Sequence, residues 1–307
     1  MERSDLILSG EVREALQHGD PVVALESSAI THGLPYPHNM EASRRQVQAV
    51  RAGGAVPALV ALIRGRVHIG LTEEEIRQLA PGAAKASARD LACLMALGRE
   101  GGTTVAGTLA LISRVGIRLF ATGGIGGVHR HARESFDISA DLHEIARQPV
   151  AVVCSGVKNL LDVPATLEML ETLGIPVVGL ATDELPGFLS RESGLHLEHQ
   201  VPDAATAARL LRIHWEQLGR PGGVLFTQPV PREHACDFKQ IQEATERAVE
   251  QCAAAGIRGK EQTPFVLQRL QNLTAGRSLP ANLALLEHNA ASAAAIAVAL
   301  AGHPATP

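Results

Sequence analysis

The segment 149–158, PVAVVCSGVK, indicates the fold most strongly. Its first six residues form an apolar run without polar alternation, which is typical of a β-strand buried on both faces. Small polar residues and a lysine follow directly. Similar runs occur elsewhere in the chain: PVVALES at 21–27, ALVALIRG at 58–65, GIRLFATGG at 116–124, IPVVGLAT at 175–182 and GGVLFTQPV at 222–230.

Amphipathic stretches separate these runs, at 40–52, 72–80, 88–98 and 166–173. Strand followed by helix, repeated along the chain, predicts an α/β fold with parallel strands. We therefore predict a single-domain α/β/α layered fold over residues 1–307, around a mostly parallel or mixed central sheet. From Asp237 onward we expect helices packed on the same core, with a loop around 274–280.

The charge balance argues against nucleic-acid and membrane partners. The formal charge is −4 and aromatic side chains make up only 3% of the chain. A phosphate backbone or an anionic membrane favours excess positive charge, and unpaired bases stack on aromatic rings. The longest apolar run, near 290–301, looks too short to cross a bilayer, and the N-terminal residues lack an apolar export segment. We expect a cytoplasmic protein.

The cysteines agree with that expectation. Cys93, Cys154, Cys236 and Cys252 lie far apart in the sequence and form no CxxC pair. Such cysteines are typical of reduced thiols in a cytosolic protein. We predict that all of them are buried.

Lysine is rare in this chain, which makes Lys158 conspicuous. Only four of the 28 basic side chains are lysines: Lys85, Lys158, Lys239 and Lys260. Lys158 follows a predicted strand, and ligands of α/β sheets bind beyond the carboxyl ends of the strands. Burial there disfavours the charged form of an amine, and a neutral amine attacks sugar carbonyls. The alternative is a lysine that reaches solvent or neutralises a nearby acid.

Other strand ends also carry candidate groups. Glu26 ends the strand VVALE, where burial favours the protonated carboxyl group of a proton donor; it could instead cap the next loop. TGGIGGVH at 122–129 is not GxGxxG, so a Rossmann site is excluded. Its glycines suit either a phosphate cradle or a simple turn. Polar residues at 155–158, 182–184 and 227–228 are expected at the same edge.

The motif FDISADLHE places Asp137 and Asp141 four residues apart, with Ser139 between them. Carboxylates with water molecules are ligands suited to Mg²⁺ or Mn²⁺. The alternative is a helix start, at which Asp137 or Ser139 is the N-cap. The pattern alone favours the cap.

Several long motifs together resemble those of one enzyme family. They are VALESSAITHGLPYPHN, KASARDL, GGTTVAGTLALISRVGIRLFATGGIGGVHR, FDISADLHEIARQPVAVVCSGVKNLLDVPATLEMLETLGIPVVGLATDELPGFLSRESG and SLPANLALLEHNAASAAAIA. Over residues 6–301 the chain resembles the pseudouridine-5′-phosphate glycosidases. The resemblance implies a homotrimeric α/β/α enzyme that uses Mn²⁺, with Mg²⁺ or another divalent ion as alternatives. It implies reversible cleavage of the C–C glycosidic bond of pseudouridine 5′-phosphate to uracil and ribose 5-phosphate, in pseudouridine catabolism.

The resemblance also implies roles for individual residues. Lys158 of CSGVK is the nucleophile that forms an imine with C1′ of the opened ribose, and Glu26 of VALES is the proton donor. Asp137, the first aspartate of DISAD, holds the metal. The residues expected at the substrate are Lys85, Val105, Ser139, Ala140, Asp141, His129 and Asn282; His129 and Asn282 are placed near the sugar phosphate and the base.

Two alternatives are compatible with the individual residues. A lysine at a strand end beside a phosphate cradle also suits a Schiff-base aldolase on a (β/α)₈ barrel, acting on another sugar phosphate. The second alternative is a sugar-phosphate-binding protein without catalysis. About six strand candidates and a helical tail argue against a barrel of eight repeats. Retention of Glu26, Lys85, Asp137 and Lys158 argues against loss of catalysis.

Overall fold

The computed structural model describes residues 6–79, 82–257 and 261–302. Its strands are β1 (Leu6–Leu8), β2 (Val22–Glu26), β3 (Val56–Ile63), β4 (Arg66–Ile69), β5 (Ala84–Ala86), β6 (Gly101–Thr103), β7 (Leu119–Ala121), β8 (Ala151–Cys154), β9 (Val177–Leu180), β10 (His199–Val201) and β11 (Leu225–Thr227). Its α-helices are α1 (Gly10–His18), α2 (His38–Ala52), α3 (Glu73–Leu79), α4 (Leu91–Ala96), α5 (Val105–Ile112), α6 (Ala132–Ser135), α7 (Ala140–Arg147), α8 (Val163–Thr172), α9 (Ala204–Arg212), α10 (Phe238–Ala254), α11 (Gln262–Leu273) and α12 (Ser278–Ala301).

The strands form one mixed sheet in the order β1-β4-β3-β2-β7-β8-β11-β9-β10, with β6 paired to β3 and β5 to β6. Neighbours from β3 through β2 to β10 are parallel, whereas β3 pairs antiparallel with β4 and β6. All six runs predicted as strands are confirmed, as β2, β3, β7, β8, β9 and β11. The sequence pattern does not indicate β1, β4, β5, β6 and β10, because none of them lies in an apolar run longer than three residues.

Two hydrophobic cores lie on opposite faces of the sheet. Alternate residues of β2 divide between them: Val22 and Ala24 belong to one core, and Val23 and Leu25 to the other. The first core includes apolar residues of α5, α7 and α10, and the second includes residues of α2, α9 and α12. Full burial of such aliphatic side chains contributes about 1.5–3 kcal/mol each. The predicted α/β/α layering around a mixed sheet is therefore confirmed.

The long helix α12 corrects one step of the sequence argument. By length and composition alone its 24 residues could cross a membrane, so the shortness of the run near 290–301 does not by itself exclude a membrane span. The helix extends N-terminally from the alanine-rich run to Ser278. However, 56% of its apolar window is buried in the protein, where it contacts α2, α9, β7 and β8. Its apolar character is that of a core helix.

The C-terminal region from α10 onward is helical, as predicted, with a shorter loop than expected. The predicted loop extends to Pro280, but α12 already begins at Ser278. Proline is tolerated in the first turn of a helix, where its missing N–H has no partner to lose. Lys239 is exposed on α10, and Lys260 lies outside the described residues.

The cysteines are free thiols, but not all are buried. Cys154 and Cys252 are buried, Cys236 is half-buried and Cys93 is exposed. Cys93 lies on the solvent face of the short helix α4, whose buried residues are Leu91 and Leu94. The prediction of burial is therefore wrong for Cys93, because an apolar sequence neighbourhood does not say which helix face a residue occupies.

The sheet is open, which excludes the (β/α)₈ alternative. In the described part of the chain, β1 and β10 form its two ends and do not pair with each other. A barrel requires closure of the first strand on the last. The barrel fold that the aldolase alternative requires is therefore excluded.

Candidate active site

A cavity of about 260 Å³ opens at the carboxyl ends of the central strands. Nine of the ten residues singled out from the sequence line it: Glu26, Lys85, His129, Asp137, Ser139, Ala140, Asp141, Lys158 and Asn282. They come from segments remote in sequence, which the parallel strands bring to one edge. The tenth, Val105, has no exposed surface, and its neighbour Thr104 lines the cavity instead.

Glu26 lies at the end of β2, and only 4% of it is exposed. Two hydroxyl groups hold its carboxyl group: Ser28 Oγ donates to Oε2, and Thr122 Oγ1 donates to Oε1. Ser28 follows the same strand, whereas Thr122 follows the neighbouring strand β7. Both carboxyl oxygens are thereby fixed in position at the cavity.

Lys158 reaches the cavity from the turn after β8. Its backbone N–H donates to the Ile125 carbonyl at 3.1 Å. Gly156 makes the turn with φ +86°, and a Cβ there would lie 2.4 Å from the Pro186 carbonyl oxygen. The Lys158 side chain is half-buried, and in residues 6–79, 82–257 and 261–302 its ammonium has no ion-pair partner. The amine is therefore held at the cavity without an acidic group to neutralise it.

The two aspartates of FDISADLHE lie in different environments. Asp141 is 5% exposed and accepts hydrogen bonds from the N–H groups of Ala106, at 2.9 Å, and Gly126, at 2.8 Å. The Asp137 side chain is 37% exposed, and its Oδ2 lies 3.8 Å from His129 Nδ1. Ser139 is the N-cap of α7, accepting from the Asp141 N–H. The predicted helix start is confirmed, with Ser139 as the cap.

His129 lines the cavity and interacts with charged groups there. Burial lowers its pKa, and the positive charges of Lys85 and Lys158 act in the same direction. The negative charge of Asp137 and a hydrogen bond that His129 donates to Gln262 oppose that shift. Lys85 and Lys158 therefore both lie within electrostatic range of His129. Such a set of basic groups can receive an anion such as a phosphate.

The glycines of segment 122–129 mainly allow neighbouring groups to pack closely against the backbone. The N–H groups of Ile125, Gly126, Val128 and His129 all donate within the protein, so they are not available to an anion. A Cβ on Gly126 would lie 2.3 Å from Ser139 Oγ. Of the two sequence interpretations, the turn is the better supported. These four amides therefore do not form a phosphate cradle, whereas Gly123 and Gly124 line the cavity.

The donor set suits a hydrated hard cation better than a closed metal site. Within the described ranges, no group of three or more His, Cys, Asp or Glu side chains could hold a metal. Asp137 nevertheless offers a half-exposed carboxylate to the cavity. Mg²⁺ and Mn²⁺ are often bound by one or two carboxylates together with water and substrate oxygens. The residues present therefore fit a cation of that kind.

Some residues were placed differently from the sequence expectation, and some were missed. Residues 182–184 and 227–228 do not line the cavity; β11 and β9 follow β8 in the sheet, on the side away from β7 and β2. The role of Thr122 in holding Glu26 could not be read from the sequence, since the two residues are 96 positions apart. Phe188, with φ +64°, lines the cavity without any local sequence signal.

The fold and the cavity define an α/β protein with an amine and a buried carboxyl group facing one ligand site. Two solved structures share this fold. The prealnumycin C-glycosynthase AlnA, in complex with ribulose 5-phosphate, is 39% identical, with 97% of each chain covered and a TM-score of 0.88. An indigoidine synthase A-like protein from Thermotoga maritima is 37% identical, with 92% of this chain and 94% of that chain covered and a TM-score of 0.85.

Sequence relatives define the family. The family model "Indigoidine synthase A like protein" matches residues 11–299. A pseudouridine-5′-phosphate glycosidase of Sorangium cellulosum is 50% identical over 97% of this chain and 94% of the relative. The protein of the same name from Methylobacterium nodulans is 52% identical over 95% of this chain and 87% of the relative. The chain belongs to the indigoidine synthase A-like family that includes the pseudouridine-5′-phosphate glycosidases.

Proposed function

We propose that the protein reversibly cleaves the C–C glycosidic bond of pseudouridine 5′-phosphate, giving uracil and ribose 5-phosphate. The observation that carries the proposal is one cavity lined by both Lys158 and the buried carboxyl group of Glu26. The names of the relatives supply the substrate class. The AlnA structure holds a pentose phosphate, and its name refers to chemistry on a C-glycosidic bond.

The bond explains why an amine is needed. A carbon leaving group has no lone pair to protonate, so paired carboxylates that hydrolyse O-glycosides do not suffice. In the proposed reaction, neutral Lys158 Nζ attacks C1′ and the C1′–O4′ bond breaks; the ring oxygen O4′ takes up the proton that the attacking nitrogen loses. The nitrogen lone pair then forms an iminium bond as the C1′–C5 bond breaks.

Glu26 completes that step by giving its proton to C5 of uracil as the bond electrons move there. Water then hydrolyses the imine, releasing ribose 5-phosphate and regenerating Lys158. The hydroxyls of Ser28 and Thr122 hold the carboxyl group in place throughout. Running these steps backward forms the bond, so the same groups serve both directions.

The remaining lining residues would position the substrate. In this proposal Lys85 and His129 would contact the phosphate, and Asn282, whose amide can both donate and accept, would contact the base. Ser139, Ala140 and Asp141 would contact the rest of the substrate, since they line the same cavity, while Val105 is buried. Asp137 would hold Mn²⁺, or Mg²⁺ or another divalent ion, which would offset the negative charge of the substrate.

The cellular setting belongs to the same proposal. We infer a cytoplasmic homotrimer that acts in pseudouridine catabolism. The four free thiols suit a reducing compartment. Phe136 and Tyr36 are 83% and 79% exposed, and such large apolar side chains are suited to a subunit interface. A mass measured in solution by light scattering checks the trimer; a monomer would contradict it.

Trapping the imine tests the chemistry. Incubation with ribose 5-phosphate and borohydride should add one reduced sugar phosphate to the peptide that contains Lys158. Lys158→Ala should abolish the adduct. Glu26→Gln should keep it while uracil release falls by about 10²–10⁴-fold, because imine formation from the free sugar needs no proton on uracil.

Other outcomes would contradict the proposal. An adduct on Lys239 alone would assign the chemistry elsewhere, since Lys239 is exposed on α10. Binding of ribose 5-phosphate without adduct or uracil release would favour a sugar-phosphate-binding protein without catalysis. An adduct with ribose 5-phosphate but no reaction with uracil would favour a C-glycosynthase for a different base.

A further inference from the structure

Behind the cavity, one buried amide joins three strand ends. Asn289 lies on α12, has no exposed surface and does not line the cavity. The strands β7, β8 and β11 are neighbours in the sheet, and each is followed directly by a polar residue: Thr122, Ser155 and Gln228. Asn289 hydrogen-bonds to all three of these residues.

The contacts use both ends of the amide. Asn289 Nδ2 donates to the Thr122 carbonyl at 2.8 Å, and Oδ1 accepts from Gln228 Nε2 at 2.9 Å. Ser155 Oγ lies 3.2 Å from Oδ1 and 3.1 Å from Nδ2. A buried amide with its donor and acceptor both engaged is fixed in orientation. Asn289 is therefore a rigid point against which the strand ends are aligned.

One of these contacts leads directly to the proposed proton donor. Asn289 holds the carbonyl of Thr122, and the hydroxyl of the same Thr122 donates to Glu26. Fixing the peptide after Thr122 limits the positions that its hydroxyl can take. The chain of contacts runs from α12 through one residue to the carboxyl group.

We propose that Asn289 is a positioning residue for the proton donor, acting through Thr122. This inference rests on the proposed function, in which Glu26 protonates the leaving carbon. Asn289 does not line the cavity and has no hydrogen bond to Lys158 among the described residues. It reaches Glu26 through the single residue Thr122, whereas Ser155, its other contact, precedes Lys158 by three positions. We therefore expect it to affect the proton transfer more than imine formation. It sits seven residues after Asn282 on α12, so the same helix face lines the cavity with one asparagine and aligns the strand ends with the other.

The test compares Asn289→Asp with Ser292→Ala. Asn289→Asp keeps the acceptor for Gln228 and removes the donor to the Thr122 carbonyl. The control residue Ser292 is on the same helix and donates to Gln228 Oε1 at 2.8 Å, without touching Thr122. We expect kcat to fall about 10–100-fold in Asn289→Asp, because small misplacements of a reacting group cost that much, with KM within about threefold. Ser292→Ala should change kcat less than about threefold, as expected without a contact to Thr122.

A double-mutant cycle with Thr122→Val separates positioning from general support of the fold. If Asn289 acts through the Thr122 hydroxyl, Asn289→Asp should add less than about threefold to the loss already caused by Thr122→Val. Equal losses in both backgrounds would overturn the proposal. Because a buried aspartate can unfold the protein, Asn289→Ser is measured in parallel, with thermal melting to show that it is folded.

Borohydride trapping distinguishes this inference from the proposed function. Both Asn289 variants should form the Lys158 adduct with ribose 5-phosphate to the wild-type extent. If the wild type forms no adduct, the proposed function fails. If it does and the Asn289 variants keep wild-type kcat, or lose the adduct, only the positioning role fails.

Discussion

The ionisable groups that line the cavity fall into two sets. In the first, which we call the partnered wall, the carboxyl groups of Glu26 and Asp141 each accept two hydrogen bonds from the protein. In the second, the open wall, Asp137 is 37% exposed and accepts one long hydrogen bond, from Gln262 Nε2 at 3.4 Å, and Lys158 has no ion-pair partner among the described residues. A group whose hydrogen bonds are satisfied internally can hold a position, whereas an open group is available to ligands.

This contrast matters most for the DISAD motif. Asp137 and Asp141 are the same residue type, four positions apart, and sequence alone offers both as ligands. Asp141 has a structural role, because its carboxylate accepts hydrogen bonds from both the first turn of α5 and the loop at Gly126. Asp137 is left as the carboxylate that a cation can reach.

The largest expected effect is on the open wall. Lys158→Arg should reduce kcat/KM by at least about 10³-fold, because arginine keeps the charge but cannot lose its proton to become a nucleophile. Thermal stability should change little, since Lys158 has no ion pair within the described residues to lose. Activity and melting are measured on the same preparation. Substantial activity in Lys158→Arg would show that the lysine acts only as a charge.

A matched pair of substitutions tests the difference between the aspartates. Asp141→Asn should lower the free energy of unfolding by about 2–3 kcal/mol, because the new amide donor faces one of two buried N–H groups. Asp137→Asn should leave the free energy of unfolding within about 0.5 kcal/mol, as for other exposed sites. Urea unfolding measures both.

Mn²⁺ binding is the second measurement that tests the proposed difference between Asp137 and Asp141. Asp137→Asn should weaken Mn²⁺ binding, measured by calorimetry in the absence of substrate, while Ser139→Ala should leave it unchanged. Unaltered Mn²⁺ affinity in Asp137→Asn would remove the metal role from the open wall. Similar destabilisation by Asp137→Asn and Asp141→Asn would remove the distinction between the walls.

The smallest expected effect is the pH dependence of stability that arises from His214, which does not line the cavity. Burial lowers the pKa of His214, which lies beside Trp215 and the Gly222 carbonyl. The unfolded chain, with a histidine pKa of about 6.5, then binds more protons than the folded chain as the pH falls. The contribution of His214 is present above pH 6.5 or so and is lost as the pH falls toward its lower folded-state pKa.

Melting temperatures between about pH 7.5 and 5.5 check this prediction. They should fall with pH in the wild type and fall less in His214→Gln. An equal decline in both proteins would assign the acid sensitivity to other groups. Activity of His214→Gln at neutral pH should match the wild type, since His214 does not line the cavity.

The sequence predicted the central strands of the fold better than the short strands at the edges of the sheet. The central strands were predictable because burial on both faces demands uninterrupted apolar runs, as in β8. The short strands at the sheet edge and the start of α12 were not, because their residues obtain their conformation from neighbours in space. Cys93 shows the same limit, since its exposure depends on which face of α4 meets the core.

The sequence by itself placed Glu26 and Lys158 at one edge of the sheet, because each follows an apolar run and parallel strands bring their carboxyl ends together. It could not assign their partners. That Thr122 holds Glu26, that Asp141 is engaged and Asp137 open, and that Asn289 joins three strand ends was decided by the tertiary structure alone. These contacts join residues up to 167 positions apart, and hydrogen bonds at such separations depend on packing geometry and not on local pattern.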